Sequence, residues 1–91
     1  MNDSFEWDPE KERANVAKHG VDFSEARSVF VDPLAWTNAD DEHSWGEQRF
    51  TILGLSEQHR LLFVVYAYRG TRVRIISERP ATRREKKAYE G

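Results

Sequence analysis

Arginine is the side chain whose number and spacing in this sequence best suit chemistry on an anion. Eight arginines follow residue 48: Arg49, Arg60, Arg69, Arg72, Arg74, Arg79, Arg83 and Arg84. The planar guanidinium group can donate two parallel hydrogen bonds to a phosphate, and Tyr66 and Tyr68 could stack on bases nearby. The set is typical of nucleic-acid binding. The alternative is a solvated sheet face on which the arginines pair with Glu47, Glu78 and Glu85.

A second candidate group lies just before this basic region. His43 is followed by Ser44, by Glu47 four residues later and by Arg49, so the segment could supply an acid, a base and a phosphate clamp. A loop histidine with no role is the alternative, and the spacing alone favours it. Lys18, in the last turn of a predicted helix, is a further phosphate-binding candidate, although the helix dipole also explains a cation there.

Metal and cofactor chemistry receive little support from the sequence. The run from Asp40 to His43 is rich in oxygen and nitrogen ligands, but adjacent residues rarely converge on one ion. The chain has no cysteine, which excludes disulfides and thiolate metal sites. No glycine-rich phosphate loop or nucleophile elbow is present. We therefore expect no metal and no cofactor.

Charge and length narrow the class of protein. The 91 residues predict one domain, spanning residues 1–91. The net charge is only −2, but residues 1–47 carry four Lys/Arg against twelve Asp/Glu, and residues 48–91 carry ten against four. This asymmetry indicates a polyanionic partner for the basic half, or pairing between the halves. No signal peptide or membrane segment is evident, so we expect a soluble cytoplasmic protein.

The first half of the chain predicts two short helices. Asp8 and Pro9 are typical of a helix start and Gly20 of a helix end, which gives a helix over 9–19. A second helix follows, with Asp22 as its N-cap and Asp32-Pro33 as its end. Joined by a glycine, the two helices are predicted to form an N-terminal helical hairpin.

The second half predicts strands. Alternation begins at Gln48, and two apolar runs, 61–68 and 72–78, flank a turn at Gly70. Strict alternation would place Arg72, Arg74 and Glu78 on one face, and we expect Tyr66 and Tyr68 of the neighbouring strand to share it. A capping box, Thr82-x-x-Glu85, starts a last helix. The predicted fold is α+β, with the helices around an antiparallel meander of three to four strands.

A series of segments along the chain resembles one family. They are FEWDPEKERANVAKHGVDFSEA, VFVDP, HSWGEQR, LGLS, RLLFVVYAYR and RVRIISERPATRREKKAYE, and together they run from Phe5 to Glu90. Their order and spacing resemble the BrnT family, the ribonuclease toxins of a type II toxin–antitoxin system. The chain departs from the family pattern at Glu78, where a small residue is expected, and at Gln58-His59, where a glycine usually precedes the arginine.

The resemblance implies a RelE-like fold and RNA cleavage that inhibits translation. It also implies neutralisation by a BrnA-like antitoxin, in an assembly with two copies of each protein that represses its own operon. DNA would be contacted only through the antitoxin, and no membrane is involved. The polar positions that match the family's motifs are Lys18, His19, His43, Glu47, Arg49, Arg60, Tyr66, Arg69, Arg74 and Arg79.

For the mechanism we expect metal-independent cleavage through the 2′-hydroxyl of RNA. Arg74 and Arg79 are the principal candidates for stabilising the phosphorane, with Arg49 assisting. His43, backed by Glu47, is the candidate general acid or base, and Tyr66 is the alternative. The RNA-binding candidates are Arg49, Arg60, Arg69, Arg72, Lys18, Tyr68, Arg83 and Arg84. A different class of function stays open, namely a non-catalytic module whose basic face docks an antitoxin.

Overall fold

The computed structural model describes residues 4–91, in which strands and helices follow the sequence patterns closely after residue 48. The strands are β1 (Phe5–Trp7), β2 (Trp36–Ala39), β3 (Arg49–Leu55), β4 (Leu61–Arg69) and β5 (Arg72–Pro80). The helices are α1 (Pro9–His19), α2 (Phe23–Ser28) and α3 (Arg83–Glu90). Two single 3-10 turns cover Val29–Val31 and Asp41–His43.

The predicted antiparallel meander of three to four strands is wrong. Within the described residues the sheet has five strands in the order β1-β5-β4-β3-β2, and β1 pairs with β5 in parallel. Phe5 and Trp7 of β1 pack against the core beside Val73 and Ile75. A strand of three residues is too short to show a reliable alternation, and its partner lies almost seventy residues away, so local pattern cannot reveal the parallel pair.

The predicted N-terminal helical hairpin is wrong as well. The helix boundaries of α1 are confirmed, with Asp8 accepting from the Glu10 N–H and Gly20 in the left-handed region at φ 72°. However, α1 and α2 make their main contacts with β5, so they form a layer on the sheet instead of a pair packed on each other. Phe23, Ala26 and Val29 supply the helical side of the core, and α2 ends after six residues in a 3-10 turn.

A bulge in β5 decides which side chains face the helices. Tyr66 pairs with Ile75, but Val65 pairs with Ser77, so Ile76 is an extra residue without a partner on β4. A bulge of this kind interrupts the two-residue alternation of a strand. Glu78 therefore pairs with Val64 on the face covered by the helices, not on the face of Arg72 and Arg74 as strict alternation predicted.

Glu78 is a buried carboxyl group, with 2% of its surface exposed. Asn15 of α1 holds it: Asn15 Nδ2 donates to Glu78 Oε2 (2.6 Å) and to its backbone carbonyl (2.8 Å), and the Glu78 N–H donates to Asn15 Oδ1 (3.3 Å). Glu78 Oε1 is buried and finds no hydrogen-bond partner in the part of the chain that the structure describes. Burial, reinforced by the negative charge of Glu25, raises the pKa of Glu78 to about 8.

Glu25 is a second buried carboxylate, but unlike Glu78 it has hydrogen-bond donors for both of its oxygens. Both of its oxygens accept from the Arg60 guanidinium, and Oε2 also accepts from Ser56 Oγ. The hydrogen bond from Arg60 is the main reason that the pKa of Glu25 lies below its usual value. Arg60 thus joins the β3–β4 turn to α2, and Ser56 closes the same network.

Glu78→Gln is expected to stabilise the protein at neutral and alkaline pH. The unfolded carboxyl ionises near its ordinary pKa of 4.5, and the folded one only near 8, so the native state binds more protons and loses stability as pH rises between these values. The amide removes this cost, by roughly 2 kcal/mol or more at pH 8.5. Urea unfolding at pH 5 and pH 8.5 measures the difference in the free energy of unfolding between the variant and the wild type. A Glu78→Gln gain that is equal at both pH values would contradict the assignment, and Glu57→Gln, at an exposed position, is the matched control.

His59→Gly is expected to raise the free energy of unfolding. His59 has φ 64°, the one positive value at a non-glycine position in residues 4–91. In the left-handed region, the Cβ of a non-glycine residue destabilises the folded state by about 1–2 kcal/mol. Glycine removes this strain, but it also makes the unfolded chain more flexible, which offsets part of the gain. We expect a net gain of about 0.5–1 kcal/mol in thermal or chemical unfolding. His59→Ala is the control, since it keeps the Cβ and should bring no gain.

Candidate functional site

The face of the sheet opposite α1 and α2 carries three cross-strand rows of side chains. Side chains of directly paired residues point to the same face and lie next to one another. The first row is Trp36, Leu53, Phe63 and Arg79; the second is Asn38, Thr51, Val65 and Ser77; the third is Arg49, Ala67, Arg74 and Glu6. We call this surface the open face. Its middle row is a floor of small side chains between an aromatic row and a cationic row.

The loop between β2 and β3 is fastened to the end of the cationic row. The Ser44 hydroxyl donates to the Asp40 carbonyl (2.5 Å) and accepts from the Arg49 N–H (2.8 Å). The Asp40 N–H donates to the Arg49 carbonyl (2.8 Å), and the Gln48 side chain donates to Ser44 Oγ (3.0 Å). These bonds fold the chain back within a few residues, so that Asp40 and His43 lie beside the start of β3.

His43 is oriented by Asp40. Its Nδ1 lies 3.1 Å from both carboxylate oxygens of Asp40. A carboxylate only accepts hydrogen bonds, so Nδ1 carries the proton and Nε2 is left for a ligand. The prediction that Glu47 backs His43 is wrong, because Glu47 pairs with Arg69 instead (3.4 Å). A histidine fixed by a carboxylate is an arrangement that can transfer a proton.

Arg49 and His43 line the same cavity. This cavity has a volume of about 470 Å³ and is bordered also by Ala39, Asp40, Thr51, Phe63, Val65 and Ser77. Arg49 Nε is buried and has no hydrogen-bond partner within residues 4–91. A buried N–H without an acceptor costs free energy unless a ligand or water supplies one. The cavity therefore brings together an oriented imidazole and a guanidinium group that pairs with no carboxylate among residues 4–91.

A smaller cavity of about 200 Å³ adjoins Arg49 on its other side. Arg69, Arg74, Lys11 and Glu47 line it, with Asp8, Ile75 and Ile76. Arg74 donates to Glu6 Oε2 (3.0 Å), and Arg72 pairs with the other oxygen of Glu6 (3.4 Å). Cations thus extend from the first cavity along the third row, but Arg69, Arg72 and Arg74 each have a carboxylate partner.

Arg79 lies at the opposite border of the open face and is engaged with α3. Both of its terminal nitrogens donate to Glu85 (2.8 and 2.9 Å), and its guanidinium lies 4.3 Å from the centre of the Phe63 ring. The bond to Glu85 is the main cause of the raised pKa of Arg79. Glu85 also completes the predicted capping box with Thr82, which is confirmed. Arg79 therefore anchors the start of α3 while it borders the cavity through Phe63.

The remaining predicted residues lie elsewhere. Tyr66 and Tyr68 face the helical layer, so the prediction that they share a face with Arg72 and Arg74 is wrong. Tyr66 is 4% exposed and packs on Phe30, and burial raises its pKa to about 12, which makes it a poor proton acceptor at neutral pH. The other predicted cations are either exposed on helices or bonded within the helical layer: Lys18 in α1, Arg83 and Arg84 in α3, and Arg60 with Glu25.

Sequence reasoning missed two residues of the site and the bonds of a third. Asp40 was interpreted only as a metal ligand, and Lys11 was given no role. Ser44 was grouped with His43, but its bonds to Asp40 and Arg49 were not predicted. The spacing of Asp40 and Ser44 around His43 is a local signal that could have been used, since aspartate and serine commonly bond to backbone groups three or four residues away. No local signal marks Lys11, which reaches the site from α1.

Residues 4–91 contain neither a cluster of metal ligands nor a membrane-spanning helix. No group of three or more histidine, aspartate and glutamate side chains is arranged to hold a metal ion. No helix in this part of the chain is long and apolar enough to cross a bilayer.

Known proteins resemble this chain in sequence pattern and in fold. Residues 7–85 match the model of the family described as "Ribonuclease toxin, BrnT, of type II toxin-antitoxin system". The crystal structure of the Brucella abortus ribonuclease toxin BrnT superimposes with a TM-score of 0.61 and 22% identity, covering 85% of this chain and 94% of that one. No curated protein sequence matches the chain.

The structural likeness concerns the fold, since the identity is low. The family match covers most of the chain, including every strand from β2 to β5 and the loop that holds His43. This chain belongs to the BrnT family of ribonuclease toxins from type II toxin–antitoxin systems.

Proposed function

We propose that this protein is an endoribonuclease that cleaves RNA by attack of the 2′-hydroxyl on the adjacent phosphate. The observation that carries the proposal is the cavity on the open face, which Arg49 lines together with the His43–Asp40 pair. RNA brings its own nucleophile, so the protein has to align it, move protons and stabilise the phosphorane. These tasks need no metal ion.

Three residues of the cavity have a role in this mechanism. Arg49 donates to a non-bridging phosphate oxygen, where negative charge increases in the transition state. His43 exchanges a proton through Nε2 with the 2′-hydroxyl or the leaving 5′-oxygen, while Asp40 holds the ring and stabilises its protonated form. Arg49 takes the principal place that the sequence assigned to Arg74 and Arg79, because both of those guanidinium groups already have carboxylate partners.

Arg74 and Arg79 serve as flanking phosphate contacts. Arg74 lies in the same cross-strand row as Arg49, and Arg79 lies across the floor. Phosphate binding at either site requires exchange of a carboxylate partner, Glu6 or Glu85, for the phosphate. Arg69 and Arg72 extend the same cationic border, whereas Tyr66, Arg60 and Lys18 have structural roles in this proposal.

Substitution of Arg49 or His43 is expected to abolish most of the RNA cleavage. Loss of one aligned donor typically costs about 10²–10³-fold in rate, and loss of acid–base catalysis about 10²–10⁴-fold. Purified Arg49→Ala and His43→Ala are incubated with RNA in EDTA, and the products are analysed for 2′,3′-cyclic phosphate ends. Arg13→Ala, which removes an exposed arginine of α1, should cleave like the wild type.

The same experiment separates the enzyme from a non-catalytic binding module. Intact RNA at high concentrations of the wild-type protein would support the module, whose basic face docks an antitoxin. Cleavage that requires a divalent ion would contradict the metal-independent mechanism. Full activity of both alanine variants would contradict the assignment of the site.

The family also implies an antitoxin partner. We propose that this partner is BrnA-like, that it blocks RNA cleavage, and that two toxins and two antitoxins form the complex that represses the operon. The protein co-expressed with the product of the neighbouring antitoxin-type gene should elute as a 2:2 complex, measured by light scattering. That complex, but not the free toxin, should bind operator DNA, and a toxin that binds this DNA alone would contradict the proposal.

A further inference from the structure

Two exposed tryptophans flank the candidate site. Trp45 has 82% of its surface exposed, although burial of this side chain would normally contribute strongly to folding. It lies in the loop after His43, and the two ring centres are 6.3 Å apart. Trp36, on edge strand β2, is 49% exposed and belongs to the aromatic row of the open face. Neither residue is part of the hydrophobic core.

These tryptophans and the cations have complementary positions. Arg49 and Arg74 form one border of the floor, and Trp36 and Phe63 belong to the row on the other side. Arg79 already covers the Phe63 ring, so the free aromatic faces near the cavity are those of the two tryptophans. Trp36 lies across the floor from the cations, and Trp45 lies in the loop that is bonded to Arg49. A nucleotide chain whose phosphates bind the cations has planar bases to offer to both rings.

From this arrangement we infer that Trp36 and Trp45 stack on nucleobases and restrict the site to unpaired nucleotides of single-stranded RNA. A base within a duplex is stacked on its neighbours and has no face to offer, whereas a base in a loop or single strand does. The floor between the rows, Asn38, Thr51, Val65 and Ser77, consists of small or narrow side chains, which leave room for the ribose and phosphate. The inference rests on the proposed ribonuclease function and adds its substrate class.

Tryptophan fluorescence provides a direct test. Trp7 is the third tryptophan and faces the helical layer, so Trp7→Phe leaves only Trp36 and Trp45 as reporters. The probe is a ten-nucleotide RNA whose 2′-oxygens are methylated, which removes the nucleophile. We expect the single strand to quench the emission, and the same strand annealed to its complement to bind at least tenfold more weakly.

Leucine and phenylalanine substitutions separate stacking from simple apolar contact. Trp45→Leu and Trp36→Leu should each raise the Kd of the single strand by ~5- to 100-fold, because stacking contributes about 1–3 kcal/mol per base. The corresponding phenylalanine variants should retain most of the affinity. For cleavable RNA, the leucine variants should raise KM much more than they lower kcat. Val31→Ala, at an exposed apolar position outside the open face, is the matched control.

The possible outcomes distinguish this inference from the proposed function. If the wild type cleaves RNA and the leucine variants bind and cleave single strands like the wild type, the inference is overturned and the ribonuclease assignment stands. If the leucine variants keep RNA affinity but lose the antitoxin, this surface belongs to the antitoxin, and the inference is again overturned. If the wild type neither binds the methylated strand nor cleaves RNA, both the proposed ribonuclease function and the inference about the tryptophans are overturned.

Discussion

The bulge at Ile76 is the constraint on which the arrangement of both sheet faces depends. By adding one residue to β5, it places Glu78 beneath α1 and returns Arg79 to the face that carries Arg74. Without it, Glu78 would lie opposite Phe63 on the open face, and Arg79 would lie opposite Leu62 on the face of the core. Asn15 bonds to Glu78 at three points, so α1 fixes the register at the same place. The cost is a buried carboxyl group with one unsatisfied oxygen.

Several arginines of this molecule are committed to structural ion pairs. Arg60 with Glu25 joins the β3–β4 turn to α2, Arg79 with Glu85 holds α3, and Glu6 joins β1 to the arginines of β5. An isolated exposed pair of this kind contributes little to stability. The pairs do, however, set which cations are available to a ligand. Arg49 pairs with no carboxylate in the described part of the chain, and it lines the cavity in which Asp40 orients His43.

Local patterns predicted a large part of the elements and a smaller part of the site. Asp8, Gly20 and Thr82 mark helix ends through bonds to their own neighbours in sequence, so α1 and α3 were predicted closely. The same holds for β4 and β5, whose apolar runs are long. Within the site, His43 and Arg49 were identified by residue type. Their partners were not, because Glu47 and Asp40 are both within reach along the chain and only the folded loop selects between them.

By itself the sequence determined the family and the excess of positive charge after residue 48, because both depend only on residue order. It also determined the long helices and strands, because these depend on contacts within a few residues. Only the tertiary structure decided the parallel pairing of β1, the faces of Glu78 and Tyr66, and the partner of each arginine. The physical reason is that a strand has two faces separated by a single residue. One unpaired residue, selected by packing against distant helices, moves every later side chain of the strand to the other face of the sheet.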